Sequence, residues 1–189
     1  QDKSINPADL VSGDKNAVMI ALRVTGYGSD YTINVTCPQC EEQSKFEFDL
    51  GALEMNTLEV NPVTPGANLF EFTLPTSETA ITFRFLTSGE EREVSETQEK
   101  VKKRMNSQID KNVTATLKSQ LVSVNGKEDQ ALINQLVDAL HVKDSRALRK
   151  FIDDAKPDVL MKQFFSCPNC SESSEVDVPI TGEFFWPDA

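Results

Sequence analysis

Histidine is nearly missing from this chain: among 189 residues there is one, His141. A His-Glu-x-x-His metal helix is therefore excluded, and Gly-x-Ser-x-Gly and a phosphate-cradling glycine loop are absent as well. His141 lies near a helix end, where it reads as a surface or capping group. Carboxylates are plentiful but scattered, and no pair stands out for acid–base work. The sequence thus indicates no enzyme and no small-molecule substrate. Long apolar runs are also missing, and none approaches the roughly 20 residues of a membrane-crossing helix. Positive charge is scarce, with 19 Lys and Arg against 30 Asp and Glu, a net charge of −11. Nucleic-acid affinity comes mostly from cations on phosphates, so nucleic acid is disfavoured as a partner. The one basic cluster, Lys100, Lys102, Lys103 and Arg104, follows Glu90, Glu91, Glu93, Glu96 and Glu99. On a helix these charges pair at i,i+3 and i,i+4 and form a solvated face.

Cysteine is sparse too, yet its placement is the most informative feature of the chain. All four fall in two copies of one tetrapeptide, Cys37-Pro38-Gln39-Cys40 and Cys167-Pro168-Asn169-Cys170. A Cys-x-x-Cys turn aims two thiolates at one point, and two such turns supply the four sulfurs of a closed tetrahedral Zn²⁺ site. Each copy sits between strand-like runs, 31–36 and 46–50 for the first, 161–165 and 176–180 for the second. Both read as zinc knuckles on β-hairpins, the halves of a zinc ribbon. A thioredoxin-type redox pair would need a thiol at a helix start, and neither knuckle opens a helix. Disulfides or free thiols would also be compatible with four cysteines. In the usual ribbon about 15–20 residues separate the pairs, whereas here Glu41 to Ser166 intervene. A shared ion would tie both ends of the fold together, and everything between would be an insertion. Such a site is coordinatively saturated and structural. The chain opens at Gln1 without a signal-peptide pattern, which with zinc-spaced cysteines leads us to expect a reducing cytoplasm; the sequons at Asn34, Asn112 and Asn169 are then accidental.

Along the chain, Asn6-Pro7 signals a helix start, and a helix from Asp14 carries Val18, Met19, Ala21, Leu22 and Val24 until Gly26 ends it. A connector from Leu50 to Ala67 includes a short strand near Thr57–Val60. The runs 69–74 and 81–86 alternate with period two and form a second hairpin. Ser88 caps a charged helix to about Ser107, and Ile109, Val113, Leu117 and Leu121 keep helical spacing before an extended 122–124 and an Asn125-Gly126 turn. A helix over 127–140 presents Leu132, Ile133, Leu136, Val137 and Leu140, and Asp144 or Ser145 caps another through Ala155. The expected class is α+β: zinc-ribbon hairpins carrying a long inserted β-hairpin plus helical bundle. The expected parts are 1–50 with the first knuckle, 51–157 as the insert, and 158–189 with the second knuckle and an aromatic tail. That tail, Phe184-Phe185-Trp186, either folds back on its own core or anchors a partner.

The order of parts resembles a known family. Asp14-Lys15-Asn16-Ala17-Val18-Met19-Ile20-Ala21-Leu22-Arg23 leads through Gly26-Tyr27-Gly28-Ser29-Asp30-Tyr31 to the first knuckle. A Leu-Pro-x-Ser hairpin (Leu74 to Ser77) with Ile81-Thr82-Phe83-Arg84 follows, then Asp144-Ser145-Arg146-Ala147-Leu148-Arg149, the second knuckle and Phe184-Phe185-Trp186-Pro187. From Asp14 to Pro187 the chain resembles the baseplate hub and hub-assembly chaperone proteins of T-even-type contractile-tailed bacteriophages; the hairpin and acidic helices also resemble phage tail assembly chaperones in general. The resemblance implies a non-enzymatic role in building or forming the virion tail, partners among phage tail and baseplate proteins, and a place in the host cytoplasm during assembly. It leaves open whether the protein stays in the finished particle. A cytoplasmic zinc-ribbon accessory factor of a transcription or replication complex is the alternative function, and Phe184, Phe185 and Trp186 are the candidate partner contacts.

Overall fold

The computed structural model describes residues 6–105, 112–180 and 182–186. In chain order its elements are α1 (Ser12–Tyr27), β1 (Asp30–Thr36), β2 (Gln43–Asp49), β3 (Met55–Asn56), β4 (Phe70–Thr73), β5 (Ala80–Phe83), α2 (Ser88–Met105), α3 (Asn112–Gln120), β6 (Leu121–Val124), α4 (Gln130–Asp138), α5 (Val142–Ala155), β7 (Asp158–Val159), β8 (Lys162–Ser166), β9 (Ser173–Asp177) and α6 (Gly182–Phe185). The class is mixed α and β with small antiparallel sheets. The chain divides into two compact units, residues 16–56 with 158–189, and residues 1–15 with 57–157.

The first of these units is built on two hairpins. In β1 and β2, Tyr31 faces Phe48 and Ile33 faces Phe46, while Thr32 and Glu47 lie on the outer side. This period-two alternation is what the pleat demands when one face is buried. In β8 and β9 the register runs from Lys162↔Asp177 to Ser166↔Ser173, with Phe165 inward. Phe46 and Phe165 meet edge to face at 5.3 Å, so aromatic packing joins the hairpins. The short β3 and β7 pair Met55↔Val159 and Asn56↔Asp158, closing the unit where the chain leaves it and returns. The expected strand near Thr57–Val60 is absent, and pairing falls just before it.

Helix α1 runs past Gly26 to Tyr27 and stops at Gly28, whose N–H bonds the Val24 carbonyl from a φ of +88°, a left-handed cap that favours glycine. Its apolar stripe is phased differently from the sequence reading. Ile20 and Arg23 are buried, with Ala17 and Val24 packed beside the same core, whereas Val18 and Leu22 are 48% and 62% exposed. The cause is Arg23, which hydropathy assigns to solvent. Its guanidinium donates to the carbonyls of Gly28 (2.9 Å) and Asp30 (3.0 Å) and lies over the rings of Tyr27 and Tyr31.

The other unit has one core shared by a sheet and helices, not a hairpin beside a helical bundle. Residues 122–124, expected merely to be extended, belong to β6, which pairs with β5 and makes the hairpin three-stranded. Its apolar face needs a cover, and α3, α4 and α5 supply Leu117, Ile133, Val137, Leu148 and Ile152 against Phe70, Leu74, Ile81 and Phe83. Asn125 and Gly126 both take positive φ (+49° and +75°) in a two-residue turn between Val124 and Lys127. The cap of α2 is Thr87, one residue before the expected Ser88. Thr87 N–H donates to Glu90 Oε2 (2.9 Å) and Glu90 N–H to Thr87 Oγ1 (3.3 Å), a capping box. Ser88 instead donates to the Pro7 carbonyl. Along α2, Glu96 pairs with Arg92 and Lys100 and Glu99 with Lys103, all exposed, as the charge pattern predicts. Ser107 and Ile109 lie outside the described residues, as do the side chains of Lys102 and Arg104.

Asp144 does not cap α5, which begins after His141. Its fully buried carboxylate reaches the tip of the β4–β5 hairpin and accepts the N–H groups of Thr76 (2.7 Å) and Ser77 (3.1 Å). Against the desolvation that would raise it, these donors hold the carboxyl below its usual range. Glu90 is held down to about 2, first by the hydrogen bond from Arg84 and then, against desolvation, by Thr87. Both carboxylates have folded pKa values below their unfolded ones, so their contribution is complete above the ordinary range and is lost as pH falls through the folded values. Asp144→Ala is expected to lower the midpoint of this unit at pH 7 by roughly 5–10 °C, because the Thr76 and Ser77 N–H groups lose the buried carboxylate that ties the hairpin tip to α5. The gap to wild type should narrow as thermal scans move from about pH 5 to pH 2. A gap that widens on acidification would contradict the assignment.

Candidate metal centre

Each knuckle forms where its hairpin turns. Cys37 N–H donates to the Glu42 carbonyl (2.9 Å) and Glu41 N–H to the Cys37 carbonyl (3.0 Å). In the second, Cys167 N–H reaches Glu172 (2.8 Å) and Ser171 N–H reaches Cys167 (2.9 Å). Glu41 and Ser171 both have φ of +59°, so the two turns share the same backbone path, left-handed residue included. Pro38 and Pro168 preset the first corner of each turn.

The four Sγ atoms lie within 4.8 Å of one another. Across the knuckles, Cys37 stands 3.7 Å from Cys170 and Cys40 stands 3.7 Å from Cys167. These are unbonded sulfurs, far beyond the roughly 2.05 Å of a disulfide, and all four cysteines are free. Strands flank both knuckles, so no helix N-terminus activates a thiol. The Glu42 N–H and the Asn169 amide, outweighing desolvation, bring Cys40 down to about 7. Despite the Glu172 N–H, desolvation and the crowding sulfurs push Cys170 up to about 12. A bound cation would favour the thiolate form of its ligands. The cluster can hold a metal ion.

A family model described as T4 bacteriophage base plate protein matches residues 1–186. The chain belongs to this base plate family. Comparisons with curated proteins and with solved structures give no match. The family hit spans both knuckles, the hairpin at Leu74 to Ser77, and Asp144. In the base plate protein these last two parts touch, through the Asp144 clamp. Sequence spacing held no sign of that contact beyond the two motifs standing in order.

Of the candidate partner residues, Phe184 is buried and stacks edge-on against Tyr31 at 5.0 Å. Phe185 is half-buried and packs against the same core, while Trp186 is 64% exposed and touches Phe185. Pro187 lies outside the described residues. His141 is exposed at the start of α5 and makes no side-chain cap bond. A groove of about 750 Å³ beside α2 is walled by Arg84 and Glu90. These two satisfy each other at 2.7 and 2.8 Å, leaving it no free chemistry from that pair. No described helix is long and apolar enough to cross a membrane.

Proposed function

We propose that this base plate protein is a non-enzymatic structural or assembly component of the hub region of a contractile phage tail, built around a structural zinc ion. The family match over residues 1–186 carries the base plate part. The hub assignment rests on the order of sequence motifs that resembles hub and hub-assembly proteins. Partners are then other tail proteins, met in the host cytoplasm while tails assemble.

The sulfur geometry supports zinc. Sulfurs about 2.3 Å from a tetrahedral zinc ion stand about 3.8 Å apart, and the cross-knuckle pairs are at 3.7 Å. A second observation points the same way. Ser44 and Ser174, each four residues after the last cysteine of its knuckle, have buried Oγ atoms without a hydrogen-bond partner. By register Ser44 opposes Val35 and Ser174 opposes Phe165, which puts them on the strand faces that carry Cys37 and Cys167. When bound, the ion would offset half the charge of the four thiolates and lock the two knuckles together. Cys37, Cys40, Cys167 and Cys170 would hold it, leaving no open position for a substrate.

Protein purified without chelator is expected to contain about one zinc per chain by elemental analysis. A metal-free, folded protein with four titratable thiols would overturn the zinc reading. Co-purification from infected cells tests the hub reading: hub proteins should accompany the chain, and recovery with transcription or replication proteins instead would favour an accessory factor.

A further inference from the structure

The two compact units carry very different charge. Residues 16–56 and 158–189 hold twelve of the 30 acidic side chains but three of the 19 basic ones, a net of −9 out of −11. Of those three cations, Arg23 is buried under Tyr27 and Tyr31, and Lys162 is paired with Glu175 at 3.3 Å. Asp30 and Asp49 even stand opposite each other across β1 and β2, a like-charge pairing that ordinarily costs stability. A tetrathiolate zinc centre would add two further negative charges.

In this acidic unit the outer face of the β8–β9 hairpin bears Phe164, 77% exposed, opposite Glu175 and beside the Lys162↔Asp177 pair. Its neighbour Phe165 points inward and is fully buried, so the exposure of Phe164 follows from strand alternation, not from a frayed end. An aromatic ring set among carboxylates has the form of an interface anchor with a charged rim.

We propose that this hairpin face, centred on Phe164, docks on a protein surface that surrounds an apolar cleft with lysine and arginine. Charge decides the occupant. A second copy would set another unit of net −9 against this one, and nucleic acid or an anionic membrane would be repelled in the same way. A basic partner is drawn in instead, and the phenyl ring then fills its cleft. The inference rests on the base plate reading for its setting, since the partner is met in tail assembly.

The test replaces Phe164 in the full chain with the photo-crosslinking residue p-benzoylphenylalanine, and in a second chain replaces Val142, which is 68% exposed on the other unit. Both are expressed in phage-infected cells, and lysates adjusted to 0.1 or 0.5 M salt are irradiated. The expected adduct forms at position 164 with a phage protein, its linked peptide is flanked by an excess of Lys and Arg, and its yield falls at least threefold or so between 0.1 and 0.5 M salt. Phe164→Ser should keep the wild-type thermal midpoint and metal content yet lose incorporation into tails. An adduct with a second copy, an adduct to an acidic or salt-insensitive site, or no adduct at 164 overturns the proposal, as does normal incorporation of Phe164→Ser. Failure of the base plate reading is seen separately, as absence of the unsubstituted chain from every tail or tail precursor.

Discussion

On the zinc reading proposed above, Cys167→Ser is expected to abolish metal binding and to unfold the unit made of residues 16–56 and 158–189. Structural zinc contributes on the order of 10 kcal/mol in small domains, comparable to the whole stability of a domain this size. The remaining core is modest, with Phe48, Phe165 and Phe184 as its largest fully buried side chains. Its two hairpins come from separate stretches of the chain, so without the ion only their apolar packing and the short β3–β7 pairing hold them together. Chelator-treated wild type should melt like the variant in calorimetry. The unit with residues 57–157 has its own core around Phe70, Phe83, Leu148 and Ile152 and should retain a separate transition. An unchanged first transition in Cys167→Ser would mean that apolar packing alone holds the knuckles together.

Phe184→Ala is expected to destabilise that same unit by roughly 3–5 kcal/mol, the usual cost of emptying an aromatic site in a core. Its ring is fully buried between Tyr31 and Phe185, both at 5.0 Å and near-perpendicular. Trp186→Ala removes a ring that is mostly in solvent, so its cost should stay below about 1 kcal/mol. Urea titrations of both variants make the comparison directly. If Phe184→Ala left the midpoint unchanged but kept the chain out of tails, Phe184 would be an interface anchor after all. With the expected result, any partner contact from the tail falls to Trp186 and the exposed part of Phe185.

The contrast between these residues shows how far sequence can be read. Phe184, Phe185 and Trp186 are adjacent aromatics, and composition cannot rank them. The short α6 decides, by turning the first into the core and leaving the third outside. The stripe on α1 is phased differently for a related reason: Arg23 looks polar, yet backbone carbonyls and two tyrosines satisfy it in a buried position, and Val18 and Leu22 turn outward. Asp144 looks like a helix cap because local rules favour that role. Its partners, Thr76 and Ser77, are 68 and 67 residues away, beyond the reach of any local rule.

The sequence by itself determined the features whose cause is local: the knuckle turns set by Cys-Pro-x-Cys, the alternating strands on either side of them, the Asn125-Gly126 turn, the paired charges along α2 and the deficit of positive charge. Each depends on neighbours within a few residues, where backbone sterics and side-chain period act directly. Tertiary structure alone decided that 122–124 joins a sheet with 70–73 and 80–83, that Asp144 reaches Thr76 and Ser77, and that most of the negative charge gathers on one unit with Phe164 exposed upon it. These outcomes depend on which distant segments bury each other's apolar faces. That choice is made by the packing of the whole chain, and no local pattern encodes it.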